Sequence, residues 1–359
     1  MGTPQSNHVL SLEGVSKTYD GAQKPALENV SFSVKPGEFF SILGPSGSGK
    51  TTILRTVAGF EHPDVGKIVM GGKTVNGVPP FKRDVRTVFQ SYALFPHLTV
   101  RENVEYPLRM RGEAKAIRSG KALEALELVE MAAFAGRLPH QLSGGQRQRA
   151  ALARSIVSRP TLLLLDEPLA ALDLRLRQQM QHTLVALQKE LGIAFMYVTH
   201  DQGEALSMSD RVVVLDEGKI AQLSTPREIY FAPSNEFVSR FVGRSNLVPV
   251  KFETAEAGVV GKIEGTGVPG LLAPRAGPAR MAIRYEAVQI STLNGSPHPG
   301  TLRGVVEDVL FMGTNCEVNV RCGALNLIGT VPAVRESTFL VGQPVQVSFD
   351  VQNTQVFYD

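Results

Sequence analysis

The segment "EFFSILGPSGSGKTTILRTVAGF", Glu38 to Phe60, decides the fold class. Pro36-Gly37 just before it reads as a turn, and "EFFSIL" as a buried strand. "TTILRTVAGF" has helical spacing and a stop at Gly59. Between strand and helix, Gly44-Pro45-Ser46-Gly47-Ser48-Gly49-Lys50-Thr51 fits G-x-x-x-x-G-K-[ST], with Thr52 following. The pattern stands where a phosphate-binding loop must stand, after a strand and opening a helix. Glycines let backbone N–H groups converge on phosphate oxygens, and the helix N-terminus adds partial positive charge. Lys50 is expected to reach the β- and γ-phosphates and Thr51 to ligate Mg²⁺. A plain strand-to-helix turn does not call for Lys-Thr at this offset. A dinucleotide fingerprint starting at Gly47 and Gly49 fails, because it needs glycine or alanine where Thr52 stands.

Outward from this segment the chain reads as alternating strands and helices. "GKIVMGGKTV" has the pattern of a hairpin. Helical spacing dominates from about Leu98 to Ser158, with Leu123, Leu126 and Val129 expected on one apolar face. "TLLLLDE" and "AFMYVTH" are apolar runs of strand length, and Leu174–Leu191 between them is helical. "RVVVLDEGKIAQL" reads as a hairpin turning at Glu217-Gly218. Strands alternating with helices imply a mostly parallel sheet, hence an α/β class. After Phe241 glycine, proline and valine rise and long helical periodicity stops. The expected domains are therefore 1–242 and a small all-β domain over 243–359. The length of 359 residues suits two cores. A formal net charge of +3, from 37 Lys and Arg against 34 Asp and Glu, is spread along the chain and does not itself suggest nucleic acid. Two cysteines, Cys316 and Cys322, are too few for a disulfide framework or a zinc site. "MGTPQSNHVL" does not read as a signal peptide. The longest apolar runs fall far below the roughly 18 residues of a membrane span.

A second set of residues carries the chemistry. "TLLLLDE" ends on Asp166 and Glu167, and a buried parallel strand points its carboxyl end at the ligand crevice. Asp166 is expected to hold Mg²⁺, directly or through water, and Glu167 to act as general base. Ser143-Gly144-Gly145-Gln146 lies upstream of this acid pair, in "LSGGQRQRA". Gln90 sits in "VFQSYALFPHLTV", and His200 ends "MYVTHD". Together with the glycine loop, this set resembles the ATP-binding-cassette ATPases in order and spacing over residues 9 to about 240. The resemblance implies a P-loop NTPase cassette: a RecA-like core, an antiparallel β subdomain and a helical signature subdomain. It implies further roles. Tyr19 resembles the aromatic residue that stacks on adenine. Gln90 resembles the residue that contacts Mg²⁺ or the lytic water. His200 resembles the switch histidine at the γ-phosphate. Asp173 in "LAALD" resembles an acid that reads across a dimer, although Ala170 stands where the family often has serine. The resemblance also implies a homodimer in which the signature loop meets the γ-phosphate held by the partner subunit, so that two chains enclose two ATP.

The tail narrows the group. "VGRSNLVPV", followed by a β-rich region containing "MAIRYEAVQIS", resembles the C-terminal oligonucleotide-binding-like (TOBE) extension of importer ATPases. Tyr285 stands where that element usually has proline. Within the group the motifs look closest to the spermidine/putrescine importers. Ferric iron, sugars and other small solutes are the wider range. The implied partners are two transmembrane permease subunits and, indirectly, an external solute-binding protein. The implied place is the cytoplasmic face of the inner membrane, as a peripheral subunit. Phe89–Pro107 suits a surface that grips a membrane partner, with Tyr92, Leu94 and Phe95 expected to be partly exposed. The rival within the superfamily is a non-transport ATPase of the translation-factor or DNA-repair type. Those carry two cassettes or a long coiled-coil insertion, and this chain shows one cassette and no heptad tract. No nucleic-acid partner is expected, since Phe241–Asp359 lacks basic–aromatic interleaving.

Overall fold

The computed structural model describes residues 8–255, 258–263, 266–272, 276–293, 301–333 and 339–358. The chain separates into two compact units, one ending at Arg227 and one starting at Glu228.

The first unit opens with β1 (Leu10–Lys17), β2 (Leu27–Val34) and β3 (Phe39–Leu43), then α1 (Lys50–Ala58). β4 (Val65–Met70), β5 (Lys73–Thr74) and β6 (Val85–Val88) follow. Three helices come next: α2 (Val100–Met110), α3 (Lys115–Leu128) and α4 (Gly144–Ile156). The unit continues with β7 (Leu162–Asp166), α5 (Leu174–Leu191), β8 (Ala194–Thr199), α6 (Gln202–Met208), β9 (Arg211–Asp216) and β10 (Lys219–Ser224). Its central sheet has the order β10-β9-β3-β8-β7-β6, parallel except for the β10 edge. Every residue of β3 and β8 is buried. Strands covered on both faces read as continuous apolar runs, which is why "FFSIL" and "AFMYVT" lack alternation. The order places β3 beside β8 and β8 beside β7, so the loops leaving these three strands open at one edge. A second, antiparallel sheet, β2-β1-β4-β5, packs its apolar face with Ile53, Leu54 and Val57 of α1 into one core.

The helical part, α2 to α4, forms the other core with the opposite face of the central sheet. On α3 the buried stripe is Ala122, Ala125 and Leu126, continued by Val129, a spacing of i, i+3, i+4, i+7. Leu126 and Val129 fall on it as expected, but Leu123 lies off the stripe and is 44% exposed. Asn103 of α2 is fully buried. It receives the Phe95 N–H and donates to the carbonyls of Phe95, Leu98 and Thr99, fixing the loop ahead of the helix. Arg83 is buried too, and its guanidinium donates to the Thr56 and Val57 carbonyls at the end of α1. Those are carbonyls a helix leaves without intrahelical partners, and a cation there also suits the dipole.

α7 (Pro226–Phe231), which straddles the start of the second unit, and α8 (Glu236–Phe241) lead into ten strands among the described residues. They are β11 (Ser245–Ala255), β12 (Gly258–Ile263), β13 (Thr266–Leu272), β14 (Gly277–Arg284), β15 (Val288–Thr292), β16 (Leu302–Phe311), β17 (Asn315–Cys322), β18 (Leu325–Pro332), β19 (Pro344–Phe349) and β20 (Thr354–Tyr358). They form two five-stranded antiparallel sheets, β13-β12-β11-β14-β20 and β15-β19-β16-β17-β18, around one apolar core. Asn246 bridges the sheets: its side chain bonds Ile328 through both N–H and carbonyl. The unit begins ahead of the boundary expected at 242/243, and Arg284 supplies the reason. Buried at the end of β14, it donates to the carbonyls of Tyr230, Ser239 and Val242 and lies 4.3 Å from the Tyr230 ring centroid. The helical linker therefore packs with the β domain.

Candidate functional site

β3 ends at Leu43 and the glycine loop turns directly into α1. Gly49, at φ 100°, holds the N-cap position of α1, and no side chain caps that end. A Cβ on Gly49 would lie 2.5 Å from the Ala26 carbonyl oxygen, and one on Gly44 would lie 2.5 Å from Ser48 Oγ. The loop thus tolerates only glycine where the backbone must fold closely, and a tight glycine loop opening a helix is suited to an anion. Ser48 Oγ is buried without a partner. Lys50 is buried, and its Nζ donates to the Gly44 and Pro45 carbonyls at 2.9 and 2.8 Å. Burial lowers its pKa, against the fields of Glu167 and Asp166. An orphaned hydroxyl, uncapped helical N–H groups and a half-desolvated ammonium make a cradle that fits a phosphate chain. Ser46, Gly47 and Thr51 are exposed on this loop, while Pro45 is half-buried and Thr52 buried. Tyr19, 37% exposed, approaches from the antiparallel sheet, with its hydroxyl 3.4 Å from Thr52 Oγ1.

Two strands away, β7 delivers Asp166 and Glu167. Glu167 has φ 43°, a left-handed conformation costing about 1 kcal/mol or more, and its N–H is held by the Val198 carbonyl at 3.0 Å. This kink turns the side chain off the strand end toward β8, where Glu167 Oε1 meets His200 Nδ1 at 3.1 Å. Asp166 keeps the strand direction. Its pKa is raised, first by burial and second by Glu167, against the opposing fields of Arg55 and Lys50. Among the described residues no three His, Cys, Asp or Glu side chains cluster as metal ligands. The oxygens of Thr51, Asp166 and Gln90 are hard donors of the sort Mg²⁺ takes together with phosphate oxygens and water. Gln90 is exposed just past the end of β6.

The signature stretch lies elsewhere. Ser143 caps α4 in a reciprocal box: Gln146 N–H donates to Ser143 Oγ at 3.3 Å, and Ser143 N–H to Gln146 Oε1 at 2.9 Å. Gly144 and Gly145 face Leu172 and Leu176; a Cβ on Gly145 would lie 2.8 Å from Leu176 Cδ2. Asp173 caps α5 by accepting from Leu176 N–H at 2.9 Å. Among the described residues no hydrogen bond or ion pair joins Ser143–Gln146 to the glycine loop.

The surface after Gln90 differs from expectation in one residue. Leu94 and Phe95 are half-buried, but Tyr92 is buried in the helical core. Tyr92 and Ala93 have φ of 61° and 45°, and this left-handed pair turns the Tyr92 ring inward. Arg154 of α4 holds the turn, donating to the Tyr92 and Ala93 carbonyls at 2.9 and 2.7 Å. The open apolar surface is instead a groove of about 510 Å³ lined by Phe60, Phe81, Phe89, Tyr106, Pro107 and Met110. Sequence reading missed Phe60, Phe81 and Met110, which lie outside the Phe89–Pro107 stretch. Also missed were Arg177 and Glu204 behind His200. Each reads as an ordinary charge on an amphipathic helix, with no sequence signal of its position.

Comparison with known proteins agrees with this geometry. Residues 27–170 match the ABC transporter family, and residues 281–357 match the TOBE domain. The spermidine/putrescine import ATP-binding protein PotA of Pseudomonas fluorescens is 46% identical over 331 residues, covering 89% of this chain and 90% of that protein. The protein of the same name from Thermobifida fusca is 46% identical over 326 residues, covering 88% and 84%. Among solved structures, a dimeric post-hydrolysis state of the ATP-binding cassette MJ0796 bound to ADP and Pi is 35% identical. That match covers 61% of this chain and 99% of that one, with a TM-score of 0.55.

Proposed function

The chain belongs to the ATP-binding-cassette transport ATPases that carry a TOBE domain, and from that premise we propose a polyamine importer's ATPase whose site residues are those set out here. The observation that carries the chemistry is the Glu167–His200 contact at 3.1 Å, at the ends of the two strands that follow β3 in the sheet order. Tyr19 stacks on the adenine. Gly44, Pro45, Ser46, Gly47, Ser48, Gly49 and Thr52 surround the phosphates, and Lys50 leaves its two carbonyls for the β- and γ-oxygens. Thr51, Asp166 and Gln90 hold Mg²⁺, which neutralises phosphate charge when bound. Glu167 takes a proton from water as the water oxygen bonds to the γ-phosphorus and the bond to the ADP oxygen breaks. His200 engages Glu167 through Nδ1, which leaves Nε2 for a γ-phosphate oxygen; as imidazolium it donates from both nitrogens.

Ser143, Gly144, Gly145, Gln146 and Asp173 complete the site from a second copy. Two features support this: the signature helix packs beside Asp173 rather than bonding the glycine loop, and a similar cassette forms a dimer with ADP and Pi bound. ATP then joins the two subunits, and hydrolysis releases them. Among the described residues no helix is long and apolar enough to cross a membrane. In this reading coupling runs through two permease subunits, with the chain docked peripherally on the cytoplasmic face, as the resemblance to importer ATPases implies. The solute, spermidine or putrescine, rests on the relatives' names, and an external solute-binding protein delivers it.

Glu167→Gln tests the assignment. ATP binding should persist while turnover falls about 10²–10⁴-fold. An ATP-bound dimer should then accumulate on size exclusion with ATP and Mg²⁺. A monomer hydrolysing ATP at the wild-type rate would overturn the reading.

A further inference from the structure

Arg177 stands in the first turn of α5, where the helix dipole disfavours a cation. Two carboxylates offset that. Nη1 donates to Asp201 Oδ2 at 3.4 Å, and Nε lies 4.0 Å from Glu204 Oε1. Nη2 donates to the Leu172 carbonyl at 3.2 Å, one residue before Asp173. Glu204 is buried, and its Oε2 accepts from Tyr197 and Thr199 at 2.7 and 2.6 Å. Burial raises its pKa, against the Thr199 and Tyr197 hydrogen bonds. Asp201 donates its N–H to Thr199 Oγ1 at 2.9 Å and caps α6 by accepting from Glu204 N–H at 3.0 Å. His200 is thus flanked on both sides by members of one network, and the same guanidinium reaches the loop that carries Asp173. Arg177, Glu167 and His200 line one cavity of about 40 Å³, room for a water molecule.

We propose that Arg177 is a positioning residue that ties the loop before α5 to the strand-end histidine, so that a displacement at Asp173 is carried to His200. A guanidinium suits this because its planar fork donates to Asp201 and to the Leu172 carbonyl at fixed angles, which an ammonium does not, while its buried Nε makes no hydrogen bond among the described residues and feels Glu204 only as a nearby charge. In this role Arg177 acts through His200. The inference therefore rests on the role given to His200 above.

The test is steady-state ATPase activity of the full chain, with ATP affinity measured separately. Arg177→Met should lower kcat about 10- to 100-fold, the scale of a small misplacement of a reacting group, while ATP affinity changes less than about twofold. Arg177→Lys should recover only part of the rate. Combined with His200→Ala, Arg177→Met should add little further loss, because residues acting through one group are not additive. Asp201→Asn keeps the helix cap and removes only the charge partner. It should reproduce the kcat effect even if Arg177→Met folds poorly. Wild-type kcat in both Arg177→Met and Asp201→Asn, or losses that multiply with that of His200→Ala, would overturn the proposal. If His200→Ala itself turns over normally, the earlier assignment of His200 falls first. If it is slow while Asp201→Asn and Arg177→Met are not, only the coupling falls.

Discussion

At Asp166 the free site works against its own ionised state. Burial and the neighbouring Glu167 push its carboxyl pKa up, while burial pulls the Lys50 ammonium down. Burial makes the ionised form of each group costlier than in water, and an approaching phosphate and cation offset both costs. A carboxyl with a raised folded pKa binds its proton more tightly in the native state. Its contribution to stability is complete below the ordinary carboxylate pKa and is lost as pH rises through the folded value. Asp166→Asn removes that loss. The nucleotide-free variant should therefore melt a few degrees higher than wild type at pH 7, with the gap closing as pH falls toward 4. It should also lose the extra stabilisation that Mg²⁺ adds to ATP. Melting curves across pH, with and without Mg-ATP, check both parts. A variant melting lower than wild type at pH 7 would show that Asp166 stabilises the free fold.

The elements that could be read from sequence are those whose pattern is set by burial or by a local cap. β3, β7 and β8 were plain apolar runs, and Gly59 and Gly192 end α1 and α5 in left-handed caps. The glycine loop and the acid pair could be read because phosphate chemistry calls for those residue types at short spacing, whereas the signature stretch could be read only from its resemblance to the ATP-binding-cassette family. Properties set by side chains far apart in sequence were not. Arg284 draws the linker helices to the β domain from about fifty residues away, as its bond to Tyr230 shows. Arg154 turns Tyr92 inward across 62 residues, and Arg177 meets Glu204 only after folding. The start of α4 is a separate matter, because Ser143 has two jobs on one oxygen. In the single chain it caps the helix; across the proposed dimer it faces a phosphate. Ser143→Asp separates them, since aspartate caps as well as serine. Melting temperature should stay within about a degree of wild type, because surface substitutions that keep a cap change little. ATP-dependent dimerisation should be lost through carboxylate–phosphate repulsion. Dimerisation at wild-type ATP concentrations would remove Ser143 from the phosphate site.

At the level of the whole molecule, ATP binding has to be felt by a partner that crosses the membrane, and the first unit presents a surface for it. Phe60, Phe81 and Met110 are 53%, 78% and 61% exposed around the groove behind Gln90. A contiguous apolar surface of this kind is costly unless something covers it, and a helix of a permease subunit has the shape to do so. The groove adjoins β6, just past whose end Gln90 lies, and its Phe89 precedes Gln90 directly. An occupant pressing on the groove would therefore move the residue proposed to touch Mg²⁺. Phe81 and Phe95 separate docking from packing. Phe95 packs at a tilt against Tyr106, ring centroids 4.5 Å apart, and lies under Arg154, so Phe95→Ala should destabilise the isolated chain by about 1–3 kcal/mol. Phe81→Ala removes only exposed surface. It should leave melting temperature and basal ATP hydrolysis of the isolated chain unchanged, and in the reconstituted importer lower polyamine uptake per ATP hydrolysed at least about tenfold, the scale of one buried aromatic anchor at an interface. Unchanged uptake by Phe81→Ala, in a complex that assembles normally, would move the docking surface away from this groove.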